Sequence, residues 1–209
     1  MAKYLGAKCK LCRREGEKLM LKGDRCYTGK CAIVKRNYPP GLHGPKGRAR
    51  QSGYNLQLRE KQKAKRIYNL LEKQFRLSYE RGLKQKGEAG ENLLKILETR
   101  LDNVVYRLGL APSRAQARTL VSHGHFQVNG KKVDIPSFNV ATGDIVKVKK
   151  SSQTNKQFIN SAERLKKHEV PGWLNLDIKD MSAKVLHQPE RENFESKINI
   201  QMVVEFYSK

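Results

Sequence analysis

Residues 100–148 read "RLDNVVYRLGLAPSRAQARTLVSHGHFQVNGKKVDIPSFNVATGDIVKV". Leu101, Val104, Val105 and Leu108 continue an apolar series begun by Leu94 and Leu97. Their spacing of three and four residues predicts one buried helix face, which Gly109 can end as the residue after the C-cap. Ser113 stands three residues before Gln116, the spacing of a capping box. Ala117, Leu120 and Val121 then give a second helix its buried side, and Gly124 its stop. "FQVNGKKVDIP" predicts a hairpin, because both central residues of a type I′ turn need positive φ and Asn129-Gly130 suits them. "GDIVKVK" adds a strand, with Ile145 on one face and Val146 and Val148 on the other. The order over 98–149 is therefore helix, turn, helix, hairpin, strand.

Charge dominates outside this pattern. The 209 residues carry 43 Lys+Arg against 20 Asp+Glu, a net +23, at a mean hydropathy of -0.72. The excess is +11 over residues 1–50, +5 over 51–98, +6 over 99–150 and only +1 over 151–209. A body so charged repels itself unless an anionic partner neutralises it, and nucleic acid is the usual one. An anionic membrane is the rival, but no run of 18 apolar residues occurs in the sequence. "MAKYLGAKCK" has no apolar core of a signal peptide, which gives a cytosolic expectation, a setting where disulfides are rare.

Within the quoted stretch, Arg114 and Arg118 lie four apart, on one helical face without an acid beside them. Like charges at that spacing repel, so an external anion is the natural counterweight, although a solvated face is the plain reading. The hairpin tip, Asn129, Gly130, Lys131 and Lys132, is expected on the same surface and offers amide donors. His123 and His125 suit either phosphate contact or an ordinary role at a helix end.

Every cysteine falls in "CKLCRREGEKLMLKGDRCYTGKC", residues 9–31. Cys9-x2-Cys12, thirteen residues, then Cys26-x4-Cys31 is the spacing of a four-thiolate structural zinc site. Four protein ligands close the tetrahedron and leave no open position for catalysis. An iron–sulfur cluster fits the same ligand set, and unligated or redox cysteines are the remaining reading. Neighbouring cations would lower the thiol pKa values and offset the net charge of the site.

"VKRNYPPGLHGPKGRARQSGYN" follows, without helical or strand periodicity but with Arg36, Lys46, Arg48 and Arg50. It reads as a flexible linker or an arm ordered on its partner, since Pro39-Pro40-Gly41 cannot continue a helix. From about Leu56 the pattern turns helical: Ala64, Ile67, Tyr68, Leu71, Phe75 and Tyr79 form one stripe. Arg59, Lys61, Lys63, Lys65 and Arg66 fall largely off it. A solvated charge run is the plain reading, but a single acid, Glu60, among five bases in residues 59–66 favours RNA backbone contact. "LKQKGEAGEN" then breaks the helix. Towards the end, "NSAERLKKHEV" predicts a short helix, and the alternation Ile198, Ile200, Met202, Val204, Phe206 predicts a terminal strand. No phosphate-cradling Gly-x4-Gly-Lys-Ser/Thr loop and no nucleophile–base pair is evident, so the chain reads as no enzyme and as having no small-molecule substrate.

These residues carry a family resemblance. The 100–148 stretch resembles the small RNA-binding module named after ribosomal protein S-four. "NYPPGLHG", "LREKQKAKRIYNLLEKQF" and the final "VVEFYSK" resemble segments of the bacterial small-subunit ribosomal protein S-four family. The module alone also occurs in pseudouridine synthases and stress-related RNA-binding proteins, which leaves an RNA-modifying enzyme or a ribosome-rescue factor as rival readings. The resemblance implies an α+β fold: a metal-stapled N-terminal arm (1–50), a helical domain (51–97, completed by part of the C-terminal region), an RNA-binding module of two helices with an antiparallel sheet (98–150), and C-terminal helices with a terminal strand (151–209). It also implies direct binding to 16S rRNA early in assembly. The position it implies lies beside ribosomal protein S-five near the mRNA entry channel, with a link to decoding accuracy, contact with mRNA, and a location in cytoplasmic ribosomes. At Asn69 relatives often carry Gly. Asn also tolerates positive φ, so a break between two helices is expected there.

Overall fold

The computed structural model describes residues 4–46, 52–165, 168–195 and 197–208. The chain divides into two compact units, Met1–Leu93 with Glu195–Lys209, and Leu94–Phe194. Helices are α1 (Lys8–Glu15), α2 (Ala32–Lys35), α3 (Gly53–Ile67), α4 (Glu72–Leu83), α5 (Ala89–Glu98), α6 (Leu101–Arg107), α7 (Arg114–Ser122), α8 (Lys150–Gln153), α9 (Lys156–Leu165) and α10 (Ile200–Tyr207). Strands are β1 (Phe126–Val128), β2 (Lys131–Lys132), β3 (Ile145–Val148), β4 (Leu174–Asp177) and β5 (Ser182–Val185). Among the described residues no helix is long and apolar enough to cross a membrane.

The first unit is built on α3. Ser52 caps it, its hydroxyl accepting from the Asn55 amide at 3.3 Å. Ala64, Ile67 and Tyr68 turn inward, as the apolar stripe predicts. The helix ends where Asn69 takes φ 54°. Beyond it α4 buries Phe75 and Tyr79, while Leu71 of the expected stripe is exposed because it sits in the break. The Asn92 amide of α5 lies 3.1 to 3.3 Å from the carbonyls of Gly82, Gln85 and Lys86, satisfying the end of α4.

The terminal strand expected from period-two alternation is corrected: the segment is helix α10, packed against α3. Asn199 provides the reason, its side chain accepting from the Met202 amide at 3.3 Å as an N-cap. Val203 is then fully buried and Tyr207, four residues on, reaches α4. The same apolar residues satisfy either period, and the cap decides.

In the second unit, the sheet is antiparallel throughout, in the order β2-β1-β3-β5-β4. Phe126, Val128, Val146, Val148, Ala183, Val185 and Leu174 form its inner face, in one core with Leu101, Val104, Val105, Leu108, Ala117, Leu120 and Val121 of α6 and α7. Burying each such side chain contributes about 1.5–3 kcal/mol for the larger ones. Asn129 and Gly130 take φ 51° and 78°, the positive-φ pair the hairpin requires.

Two features differ from the sequence expectation. The stripe from Leu94 to Leu108 is split into α5 and α6. Around Thr99 and Arg100 the backbone pairs sideways instead: Val140 N–H donates to Thr99 O at 2.9 Å and Leu101 N–H to Phe138 O at 2.8 Å. The sheet also extends beyond the hairpin and third strand by β5 and β4. Their alternation spans only four residues each, and Met181 rather than Gly or Asn takes the positive φ, 46°, between them.

Candidate nucleic-acid interface

Residues 4–46 hold eleven Lys and Arg against three acids. Two of those acids pair with cations of α3. Glu15, at the end of α1, has a side chain only 3% exposed and pairs with Arg59 at 3.5 Å and with Arg66, both on α3. Burial pushes the Glu15 carboxyl up and the Arg66 guanidinium down, each against the pull of the other. Glu17 receives Lys63 at 3.1 Å. The lobe therefore pairs two of its three carboxylates with α3 and keeps Lys10, Arg14, Lys22, Arg25, Lys30, Lys35, Arg36 and Lys46 exposed.

The cations predicted on α3 are engaged within the first unit. Lys61 and Lys65 both donate to Glu72, at 2.8 and 2.7 Å, and Lys63 also meets Glu60 at 3.3 Å. Lys61 and Lys63 are buried. Lys61 Nζ further lies 4.6 Å from the Phe206 ring centroid. Burial raises the Glu72 carboxyl, but the hydrogen bonds from Lys61, Lys65 and Tyr207 prevail and hold it at about 2. Glu72 and Glu17 lie 7 to 46 residues from these lysines, outside the eight-residue window whose charge count favoured RNA backbone contact. Arg48 and Arg50 lie outside the described residues.

Cys12, Cys26 and Cys31 are buried and Cys9 half-buried, and all four line one small pocket with Lys8, Lys22 and Arg25. Burial pushes the Cys12 thiol up, a backbone bond at Leu19 pulls it back, and Cys26, Cys9 and Cys31 push it up again. Among the described residues no three His, Cys, Asp or Glu stand close enough to hold a metal ion as they are. Four cysteines are a donor set of the chemistry zinc takes, but as placed their sulfurs do not form a metal site.

In the second unit the expectation that no acid stands beside Arg114 and Arg118 is corrected. Both arginines are buried. Asp102, from the preceding helix, accepts from Arg118 at 3.2 Å and bidentately from Arg100 at 3.1 and 2.9 Å. Burial pulls the Arg118 guanidinium down, Asp102 raises it and Arg100 lowers it. Arg114 donates to Asn103 at 2.7 Å, with its guanidinium 4.5 Å from the Tyr106 ring centroid. Ser113 caps α7, accepting from the Gln116 amide at 3.3 Å, and is itself buried.

Several exposed cations of this unit stand near the end of α7. His123 and Lys132 are exposed, and the Lys132 chain lies across Gly124, which has no Cβ to oppose it and takes φ 72°. Lys131 is exposed beside it, and Lys149, exposed as well, donates its backbone N–H to His125 O at 2.9 Å. Burial, then His123, pulls the pKa of His125 below its ordinary range. Asn129 is occupied: its amide donates to Asp144 at 2.7 Å and its carbonyl accepts from Ile145 N–H at 2.9 Å. Lys149 was missed by the sequence reading, though the Lys149-Lys150 pair at the end of a period-two strand is a visible signal.

Residues 3–98 match the ribosomal protein S4/S9 N-terminal domain and residues 99–146 the S4 domain. The chain is similar over its full length to the small ribosomal subunit protein uS4 of Clostridioides difficile (strain 630), 57% identical over 209 residues, 100% of each chain. Proteins of the same name from Caldicellulosiruptor saccharolyticus and Acetivibrio thermocellus are 56% and 55% identical, again over 100% of both chains.

Proposed function

The chain belongs to the small ribosomal subunit protein uS4 family, and from that membership we propose that it is a structural, rRNA-binding constituent of the small ribosomal subunit. The observation that carries the reading is the division of its charges. Carboxylates Glu15, Glu17, Glu72 and Asp102 are paired with cations of their own unit, leaving a strongly cationic exterior on the cysteine lobe and a lysine corner at the end of α7. Such surfaces suit the phosphates of folded RNA, recognised by shape rather than by base edges.

The outward set, Arg36, Lys46, His123, Lys131 and Lys132, makes direct contacts in this reading. Lys61, Lys63, Lys65, Arg114 and Arg118 act from within by fixing the elements that present them. The finer roles are early binding of 16S rRNA in assembly, a place beside ribosomal protein S-five near the mRNA entry channel, and an effect on decoding accuracy. The four cysteines hold a structural zinc, which would neutralise the thiolates and fasten α1 to the turn before α2; its binding would supply folding free energy to a polar lobe. An iron–sulfur cluster is the alternative occupant, separable by metal analysis.

Footprinting of the purified chain on small-subunit rRNA tests the proposal. Protection confined to a folded junction of that rRNA is the expected result. Uniform weak protection, or modification of the rRNA by the chain alone, would overturn it.

A further inference from the structure

The run Tyr38-Pro39-Pro40-Gly41 has no regular backbone partner, because two prolines remove donors and hold the chain extended. Its carbonyls still require donors when they are covered. Arg13, on α1, supplies them: Nε donates to Tyr38 O at 3.0 Å and Nη2 to Pro39 O at 3.2 Å. The same guanidinium lies 4.8 Å from the Tyr38 ring centroid. Past the prolines the chain doubles back, with Gly41 at φ 112° and Gly44 N–H donating to Gly41 O at 3.2 Å. Gly44 sits so close to the Pro39 carbonyl oxygen that a Cβ there would collide with it. Residues 38–46 are thus a tight loop fastened to α1 by one side chain.

Building on the rRNA-binding reading, we infer that Arg13 is a positioning residue of the interface. It spends its fork on two loop carbonyls and a ring, so that the exposed Arg36 and Lys46 on either side of the loop leave a fixed backbone. Preordering this segment in the free chain removes an entropic cost that would otherwise fall on binding. A lysine keeps the charge of Arg13 but has neither the planar fork nor the stacking face.

The test uses the full chain, small-subunit rRNA and the variants Arg13→Lys and Gly44→Ala. Arg13→Lys should bind about tenfold more weakly, with the log–log salt dependence shallower by about one, although no charge has been removed. Amide exchange at residues 41–46 of the free protein should accelerate. Gly44→Ala, which leaves Arg13 in place and opens the loop by collision, should reproduce both effects even if Arg13→Lys fails to fold. Wild-type affinity in Arg13→Lys would mean that Arg13 acts only as a charge, and wild-type affinity in Gly44→Ala would mean that the loop does not matter; either overturns the inference. Absence of binding by the wild-type chain would instead overturn the functional reading, while the exchange measurement still decides whether Arg13 fastens the loop.

Discussion

Glu98 has no exposed surface, yet it carries a carboxylate, held by Arg107 at 2.9 and 2.7 Å and by the Asn103 amide at 2.6 Å. Removing one partner of such a group leaves the others buried and uncompensated. Glu98→Ala should therefore cost about 3–5 kcal/mol in denaturant unfolding of the second unit, well beyond a surface substitution. Asn69 tests the backbone: at φ 54° a Cβ-bearing residue without a local hydrogen-bonding side chain is strained. Asn69→Ala should destabilise by about 1 kcal/mol while Asn69→Gly stays near neutral, measured by thermal unfolding. Glu72 tests the electrostatics. Its carboxyl is held at about 2, below its ordinary value of 4.5, so its contribution to stability is complete above 4.5 and is lost as pH falls towards 2. Glu72→Gln should flatten the pH dependence of stability in that window; an unchanged acid limb would contradict the pairing with Lys61 and Lys65.

Helix α10 shows what a pattern can and cannot decide at the scale of an element. Its apolar residues alternate and also fall on a helical face, and periodicity alone does not separate the two over nine residues. Asn199 and a burial partner on α3 do separate them. Asn199→Ala should cost about 1 kcal/mol of stability as a lost cap, read by chemical denaturation. By contrast, α7 and the β1–β2 hairpin were legible, because Ser113, Gly124 and Asn129-Gly130 are local signals that act through their own backbone. The split between α5 and α6 was not legible, because it is made by pairing with residues 138–140, forty residues on. The anchoring of the Pro–Gly loop was not legible for the same reason: Arg13 holds it from 25 residues away.

For the whole molecule, the charge total was legible from composition, and the family from the residues that carry it. Which cations face outward was not, since Glu15 meets Arg66 across 51 residues and Asp102 meets Arg118 across 16. The division into two units gives the cysteine proposal a clean test. Cys9→Ser should loosen α1 and the turns around Cys26 and Cys31 in hydrogen exchange, and weaken rRNA binding, while Leu94–Phe194 keeps its protection; loss of protection there would mean that the site does more than staple its own lobe. The central claim is that exposed cations on both units clamp folded rRNA through phosphates, and its most direct test is affinity for small-subunit rRNA across salt. The account predicts a fall of about a hundredfold or more between about 50 and 200 mM salt, the loss expected from about four neutralised phosphates. An affinity that stays flat across that range would contradict it.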